Sequence, residues 1–306
     1  MTPAAAPLAA LTGVWVGSAL WVHLRGRERL SFMRQVADHS TFLAPYNAFA
    51  YLFSAVPTRP MLGAEDFPEL DHLRVHWEEI RDEARALLRD GHIRKAARHD
   101  DLAFNSFYKR DWRRFYLKWY GDIMPSARSL CPRTIELLAA TPSVHAAMFA
   151  VLAPHSHLVR HRDPFAGSLR FHLGLRTPNS EKCRITVDGQ TYWWKDGEGV
   201  LFDETFLHRA ENETDEDRFI LFCDVERPLR TRAARAFNHF IGDTLMRAFR
   251  TKNVQGEEVG ALSKTFAALY PIRVLGKRIK QYNRPLYFTL KYLLVAVVLY
   301  LIFFWR

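Results

Sequence analysis

CRITVDGQTYWWKDGEGVLFDETFLHRA, residues 183–210, reads as strands joined by turns rather than as helix. CRITV and QTYWW are short runs rich in β-branched and aromatic residues. Asp188-Gly189 between them supplies the positive-φ pair of a tight hairpin. GVLFD and TFLHRA follow as two more strands. AAMFAVL (146–152) and SLRFHLGL (168–175) continue the pattern upstream, and RFILFCDVE (218–226) continues it downstream. Six or more short strands without helices between them predict an antiparallel sandwich or barrel. Around this block the pattern changes. LDHLRVHWEEIRDEARALL (70–88) repeats apolar residues at three and four and predicts an amphipathic helix. WRRFYLKWYG (112–121) predicts a strand, CPRTIELLAATP a short helix with Pro132 near its start, and residues 230–275 further helix. Residues 40–70, punctuated by Pro45, Pro57, Pro60, Gly63 and Pro68, read as loop.

The 306 residues are 48% hydrophobic and 25% charged, which is globular in character. A net charge of +10 favours anionic partners. The basic and aromatic residues of WRRFYLKWYG fit a core strand with a basic edge better than a nucleic-acid platform, so no nucleic-acid partner is expected. Cys131, Cys183 and Cys223 contain no CxxC and read as buried reduced thiols. Both ends of the chain are apolar. Met1 to Val22 carries no charged side chain and is followed by Arg25, Arg27 and Arg29; Tyr287 to Trp305 is interrupted only by Lys291. Roughly 20 apolar residues span a bilayer as a helix, so transmembrane helices are expected at 4–24 and 285–305. Charge after the first run argues against a signal peptide. Basic flanks on the inner side of both runs place residues 25–284 in the cytoplasm and both termini outside. The expected organisation is a loop and helical region at 25–110, a β domain at 111–230 and a helical extension at 231–284.

HSHLVRHRDPFAGSLRFHLGL, residues 155–175, crowds histidines, arginines and an aspartate into one stretch. On extended chain, residues i and i+2 share a face, so His161 and Asp163 can grip one ion. His208 lies 47 residues on, after the strand GVLFD. Two histidines and a carboxylate form a facial triad that leaves coordination positions open and suits ferrous iron. Arg218, ten residues past His208, can bind a dicarboxylate through paired hydrogen bonds. Arg170 and His172 share one face of SLRFHLGL and add a cation and a donor. His155 and His157 fit a solvated loop, and Trp193 and Trp194 fit hairpin core.

This spacing resembles the iron- and 2-oxoglutarate-dependent dioxygenases. HRDPFAGSLRFHLGL, GQTYWWKDGEGVLFDETFLHRAEN and RFILFCDVERP resemble the aspartyl/asparaginyl β-hydroxylase domain. With DHSTFLAPYN at 38–47 and the apolar ends, the likeness narrows to the bacterial lipid A 2-hydroxylases. The resemblance implies a double-stranded β-helix of jelly-roll or cupin type, mainly β with flanking helices. It implies Fe(II) on His161, Asp163 and His208, 2-oxoglutarate on Arg218, Arg170 and His172, and dioxygen as oxidant. The substrate it implies is lipid A or a precursor, hydroxylated at the α-carbon of a secondary acyl chain at the bacterial inner membrane. Asp163 departs from the animal aspartyl hydroxylases, which have glycine there. The serine that contacts oxoglutarate in those enzymes falls at Ala150. Three alternatives stay open: an aspartyl/asparaginyl hydroxylase acting on a protein, a non-catalytic barrel binding lipid headgroups, and a cupin-like hydrolase or isomerase.

Overall fold

The computed structural model describes residues 5–95 and 112–304. In chain order the helices are α1 (Ala5–Leu24), α2 (Phe32–Val36), α3 (His39–Phe42), α4 (Ala44–Phe53), α5 (Asp71–Val75), α6 (Trp77–Arg89), α7 (Pro125–Leu130), α8 (Pro132–Ala139), α9 (Arg232–Ile241), α10 (Ala261–Tyr282) and α11 (Arg284–Phe304). The strands are β1 (Met61–Leu62), β2 (Arg94–Lys95), β3 (Trp112–Trp119), β4 (Asp122–Ile123), β5 (Val144–Leu152) and β6 (Ser156–His161). They continue as β7 (Ser168–Arg176), β8 (Cys183–Val187), β9 (Gln190–Trp193), β10 (Gly199–Phe202), β11 (His208–Asn212) and β12 (Arg218–Glu226).

Two sheets form among the described residues. The larger has the order β1-β10-β7-β12-β5-β3-β2, with β4 paired to β3, and the smaller has the order β6-β11-β8-β9. These strand pairs are antiparallel, as the short-strand pattern predicts. The hairpin forms where Asp188-Gly189 places it, with φ of 48° and 84° at the two turn residues. The sheet reaches beyond 111–230: β1, from residues 61–62, caps the edge of β10. The central strand β7 is buried at every position from Ser168 to Leu175. One of its faces meets the small sheet and α6 packs against β7, so a two-sided core replaces alternation. Cys131, Cys183 and Cys223 are free and buried, as expected.

One expectation needs correction. Residues 40–70 are not all loop, because Ala44–Phe53 forms α4. Pro45 sits in its first turn, where a missing N–H costs nothing, so it starts this helix rather than breaking it. Spanning helices are expected at 4–24 and 285–305. Helices do form there, but among the described residues no helix is long and apolar enough to cross a membrane. Residues 1–4, 305 and 306, and the side chains at 5, 6, 8, 295, 298, 299 and 302–304, lie outside the described set.

The end of α1 is built into the domain instead. Val22 packs with Ala44, Ala50, Tyr51 and Ala166 in a small core of its own. Arg25, expected as a free basic flank, is sandwiched between the rings of Tyr51 and Phe206, 3.9 and 3.8 Å from their centroids, and pairs with Asp203. Gly26 makes the turn that follows at φ +89°, and a Cβ there would sit 2.7 Å from Asp188 Oδ1. Asp188 in turn accepts from the backbone N–H groups of Arg27 and Glu28. The β8–β9 turn therefore clasps the chain as it leaves α1.

Candidate metal centre

His161 ends β6 and His208 begins β11, and the two are directly opposed in the antiparallel register. Their rings lie 4.2 Å apart between centroids. Each Nδ1 faces the carbonyl two residues back: Val159 O at 2.7 Å for His161 and Phe206 O at 3.0 Å for His208. That contact fixes the proton on Nδ1 and leaves Nε2 as a lone-pair donor, the tautomer a metal needs. Burial, reinforced by His161, pushes the His208 imidazole down to about 3, and burial also lowers His161. Both rings are therefore neutral and ready to ligate near pH 7.

Asp163 completes the group. Its backbone N–H donates to Glu204 O at 2.9 Å, and its Oδ1 lies 3.6 Å from His161 Nε2. The ligand atoms of His161, Asp163 and His208 all fall within 4.8 Å of one another. Burial alone would raise the Asp163 carboxyl, but Arg170, with His208 and His161, outweighs it and holds the group below its ordinary range.

Arg170 and His172 share a face of β7, as the i, i+2 spacing requires, but they do different things. Arg170 is engaged by carboxylates. Its Nη2 donates to Asp163 Oδ2 at 2.7 Å and to Glu204, and its Nη1 lies 3.2 Å from Asp224 Oδ1. Asp163 therefore turns one oxygen to Arg170 and the other to the histidines. His172 is 4% exposed and stacks on Phe222, and neither ring nitrogen has a hydrogen-bond partner among the described residues. Burial, then Arg218 and Arg170, drive its pKa well below the ordinary histidine value, so it is a neutral ring holding one N–H to give.

Arg218, first residue of β12, is 2% exposed. Its guanidinium stacks on Trp194, 4.4 Å from the ring centroid. Among the described residues no carboxylate pairs with it, and its Nε has no partner. Burial pushes its pKa down to about 10, still charged at neutral pH. Arg218, His172 and the three triad residues line one pocket between the two sheets. Ala150, buried between Ile220 and Arg114 in the register of β5, brings no hydroxyl.

The family described as aspartyl/asparaginyl β-hydroxylase matches residues 74–228. The chain belongs to that family. The aspartyl/asparaginyl β-hydroxylase match covers the triad, Arg218 and most of both sheets. Among curated relatives, the ornithine lipid ester-linked acyl 2-hydroxylase of Rhizobium tropici is 37% identical over 123 residues, 40% of this chain and 44% of that protein. Aspartate beta-hydroxylase domain-containing protein 2 of Homo sapiens is 34% identical over 146 residues, 45% of this chain and 39% of that one. The human aspartyl/asparaginyl beta-hydroxylase is 29% identical over 161 residues, 51% of this chain and 21% of that one. The chain thus spans less than half the length of these relatives.

Sequence reasoning passed over three residues of this centre. Trp194, expected as plain hairpin core, is fully buried and is the platform under Arg218. Glu204 and Asp224 are buried carboxylates on the far side of Arg170. Their signal was present: acidic residues inside the apolar runs LFDETF and ILFCDV call for partners once buried. His155 and His157 do not join the centre. His155 takes a positive φ of 52° beside Asp215, and His157 lies on β6.

Proposed function

We propose that this chain is an iron- and 2-oxoglutarate-dependent oxygenase that hydroxylates an acyl chain of a membrane lipid at its 2-position. The observation that carries the reading is Arg218, a buried guanidinium with no carboxylate partner among the described residues, facing a pocket that also holds an open His-Asp-His triad. Leaving such a charge unmatched is costly unless a ligand matches it. A short dicarboxylate that reaches a metal at the triad and Arg218 together answers that need. Bound iron and 2-oxoglutarate would supply the activation of dioxygen.

The chain's own residues bind and orient. His161, Asp163 and His208 hold the metal. Arg218 pairs with the distal carboxylate of oxoglutarate, and His172 donates its one ring N–H to the same ligand. Arg170 acts as a positioning residue: it fixes one Asp163 oxygen so that the other faces the metal. Phe222 and Trp194 keep water from the two cations. His208→Ala or His161→Ala is expected to lower divalent-metal affinity by at least about a hundredfold. Asp163→Ala is expected to weaken it while the fold survives, because Arg170 keeps Glu204 and Asp224. Equilibrium titration with Fe(II) or Co(II) checks this. Undiminished binding by the Asp163 variant would reduce the site to two histidines.

A lipid substrate is supported by what surrounds the pocket. Arg34 of α2 donates to Arg160 O, and His39 Nε2 lies 2.8 Å from Arg162 O, so α2 and α3 sit against the segment that carries His161. These helices present Phe32, Met33, Val36 and Phe42 to solvent, Met33 at 77% exposure. Leu11, Val14, Val16 and Leu20 of α1 are exposed as well. Exposed apolar patches on a basic protein mark a surface that lies on anionic lipid. The reading is therefore association with the cytoplasmic face of a bacterial inner membrane. Lipid A, through a secondary acyl chain, is the preferred substrate on the sequence resemblance. The Rhizobium relative favours an aminoacyl lipid as a second reading.

The test is mass spectrometry of lipids incubated with the full chain, Fe(II) and 2-oxoglutarate. A gain of one oxygen on an acyl chain, with matching succinate, is expected. Hydroxylation of an aspartyl or asparaginyl peptide in place of lipid would move the chain to the protein hydroxylases. Absence of any iron-dependent oxoglutarate turnover would leave a binding barrel.

A further inference from the structure

A second group of metal-ligating side chains stands outside the pocket. His145 near the start of β5, Glu226 at the end of β12 and His239 in the last turn of α9 come from three separate elements. Glu226 turns one oxygen to each ring: His239 Nε2 lies 2.7 Å from Oε1, and His145 Nε2 lies 3.4 Å from Oε2. The two rings are 5.5 Å apart between centroids and tilted by 66°. One ligand atom from each residue falls within 4.8 Å of the others. None of the three lines the pocket.

We infer that His145, Glu226 and His239 form a second divalent-metal site, of the zinc class. Two imidazole nitrogens and one carboxylate suit Zn(II) or Co(II), and the separations already approach the roughly 3.4 Å between neighbouring ligands of a tetrahedral zinc ion. His145 and Glu226 are about four-fifths buried, while His239 is half exposed. The ion would thus be held on its inner side by the sheet and keep an open position toward water. Its structural effect is to pin α9 to the end of the sheet. Without metal, α9 is held there by the His239–Glu226 contact and by Asn238, which bonds Tyr46 and Gly167 O.

The test uses the full chain with His161→Ala and His208→Ala, which silence the triad. Co(II) titration followed by visible absorption should show one equivalent in a tetrahedral environment. Adding Glu226→Gln, which keeps the size of the side chain but removes its charge, should weaken that binding by at least about a hundredfold. His239→Ala, on a half-exposed helix position, should do the same. Zn(II) should raise the melting temperature of the triad-silenced chain and leave that of the Glu226→Gln chain unchanged. No cobalt equivalent in the triad-silenced chain, or equal affinity after Glu226→Gln, would reduce the cluster to a hydrogen-bonded His-Glu-His group and overturn the inference.

Discussion

Arg218→Met is expected to raise the 2-oxoglutarate concentration needed for half-maximal turnover by about thirty- to several-thousand-fold. The range is the loss of about 2–5 kcal/mol when one partner of a buried charged pair is removed. Iron affinity should change little, because Arg218 does not touch the triad. The same substitution carries a second, opposite signature. In the ligand-free protein Arg218 is a buried cation stacked on Trp194 with no carboxylate beside it among the described residues. Replacing it by an apolar side chain of similar length removes a desolvated charge, so the ligand-free protein should unfold at equal or higher urea concentration. Weaker co-substrate binding with undiminished stability marks a group held in place for a ligand. An unchanged oxoglutarate requirement together with lower stability would make Arg218 a structural residue.

Asp203→Asn is expected to destabilise the fold by about 3–5 kcal/mol, the cost of stripping a buried ion cluster of its shared carboxylate. Asp203 and Arg227 are completely buried, and the Arg25 side chain is 9% exposed. Arg227 Nη2 lies 2.9 Å from Asp203 Oδ2, and the hydroxyl and backbone N–H of Thr205 donate to Oδ1. The asparagine would leave two guanidiniums without a counter-charge. Equilibrium urea unfolding measures the loss, and a change below about 1 kcal/mol would show that the arginines find other partners. The pH dependence follows in sign. Burial works to raise the Asp203 carboxyl, but Arg227 and Arg25 outweigh it and hold it well below its ordinary range. An unfolded aspartate titrates near about 3.9. Its contribution is therefore fully present above that value and is lost as the pH falls below it. The Asp203→Asn protein should lack this acid limb.

The β block was legible because its strands obey local rules. Asp188-Gly189 declares a hairpin, and 218–226 appears as β12 with the boundaries that RFILFCDVE suggests. His161, Asp163 and His208 were legible as well, since period-two chemistry and their spacing put them on one edge. The character of Arg170 was not. Its i, i+2 relation to His172 says that the two share a face but not which carboxylates wait on other strands. Asp163, Glu204 and Asp224 reach it from two loops and from β12, a long-range fact. Pro45 misled because a proline marks both breaks and beginnings. The docking of the end of α1 was not legible for a related reason: a run of Ala, Val, Leu and Trp looks the same whether it meets lipid or Tyr51.

The path of Arg25 bears on how the protein can be handled at the bench. The family match begins at residue 74, which invites expression of a trimmed fragment from there. Such a fragment would lose β1 and leave β10, one strand from Arg170 and His172, as an unpaired edge open to other chains. It would also lose Arg25 from Asp203 and the Val22 carbonyl that accepts from Arg162. Insolubility of that fragment would report the missing clasp rather than greasy ends. A workable truncation keeps the last turns of α1 and everything from there to the start of α10, because Met246 O accepts from Trp119 Nε1 and Asn253 bonds both backbone groups of Tyr116.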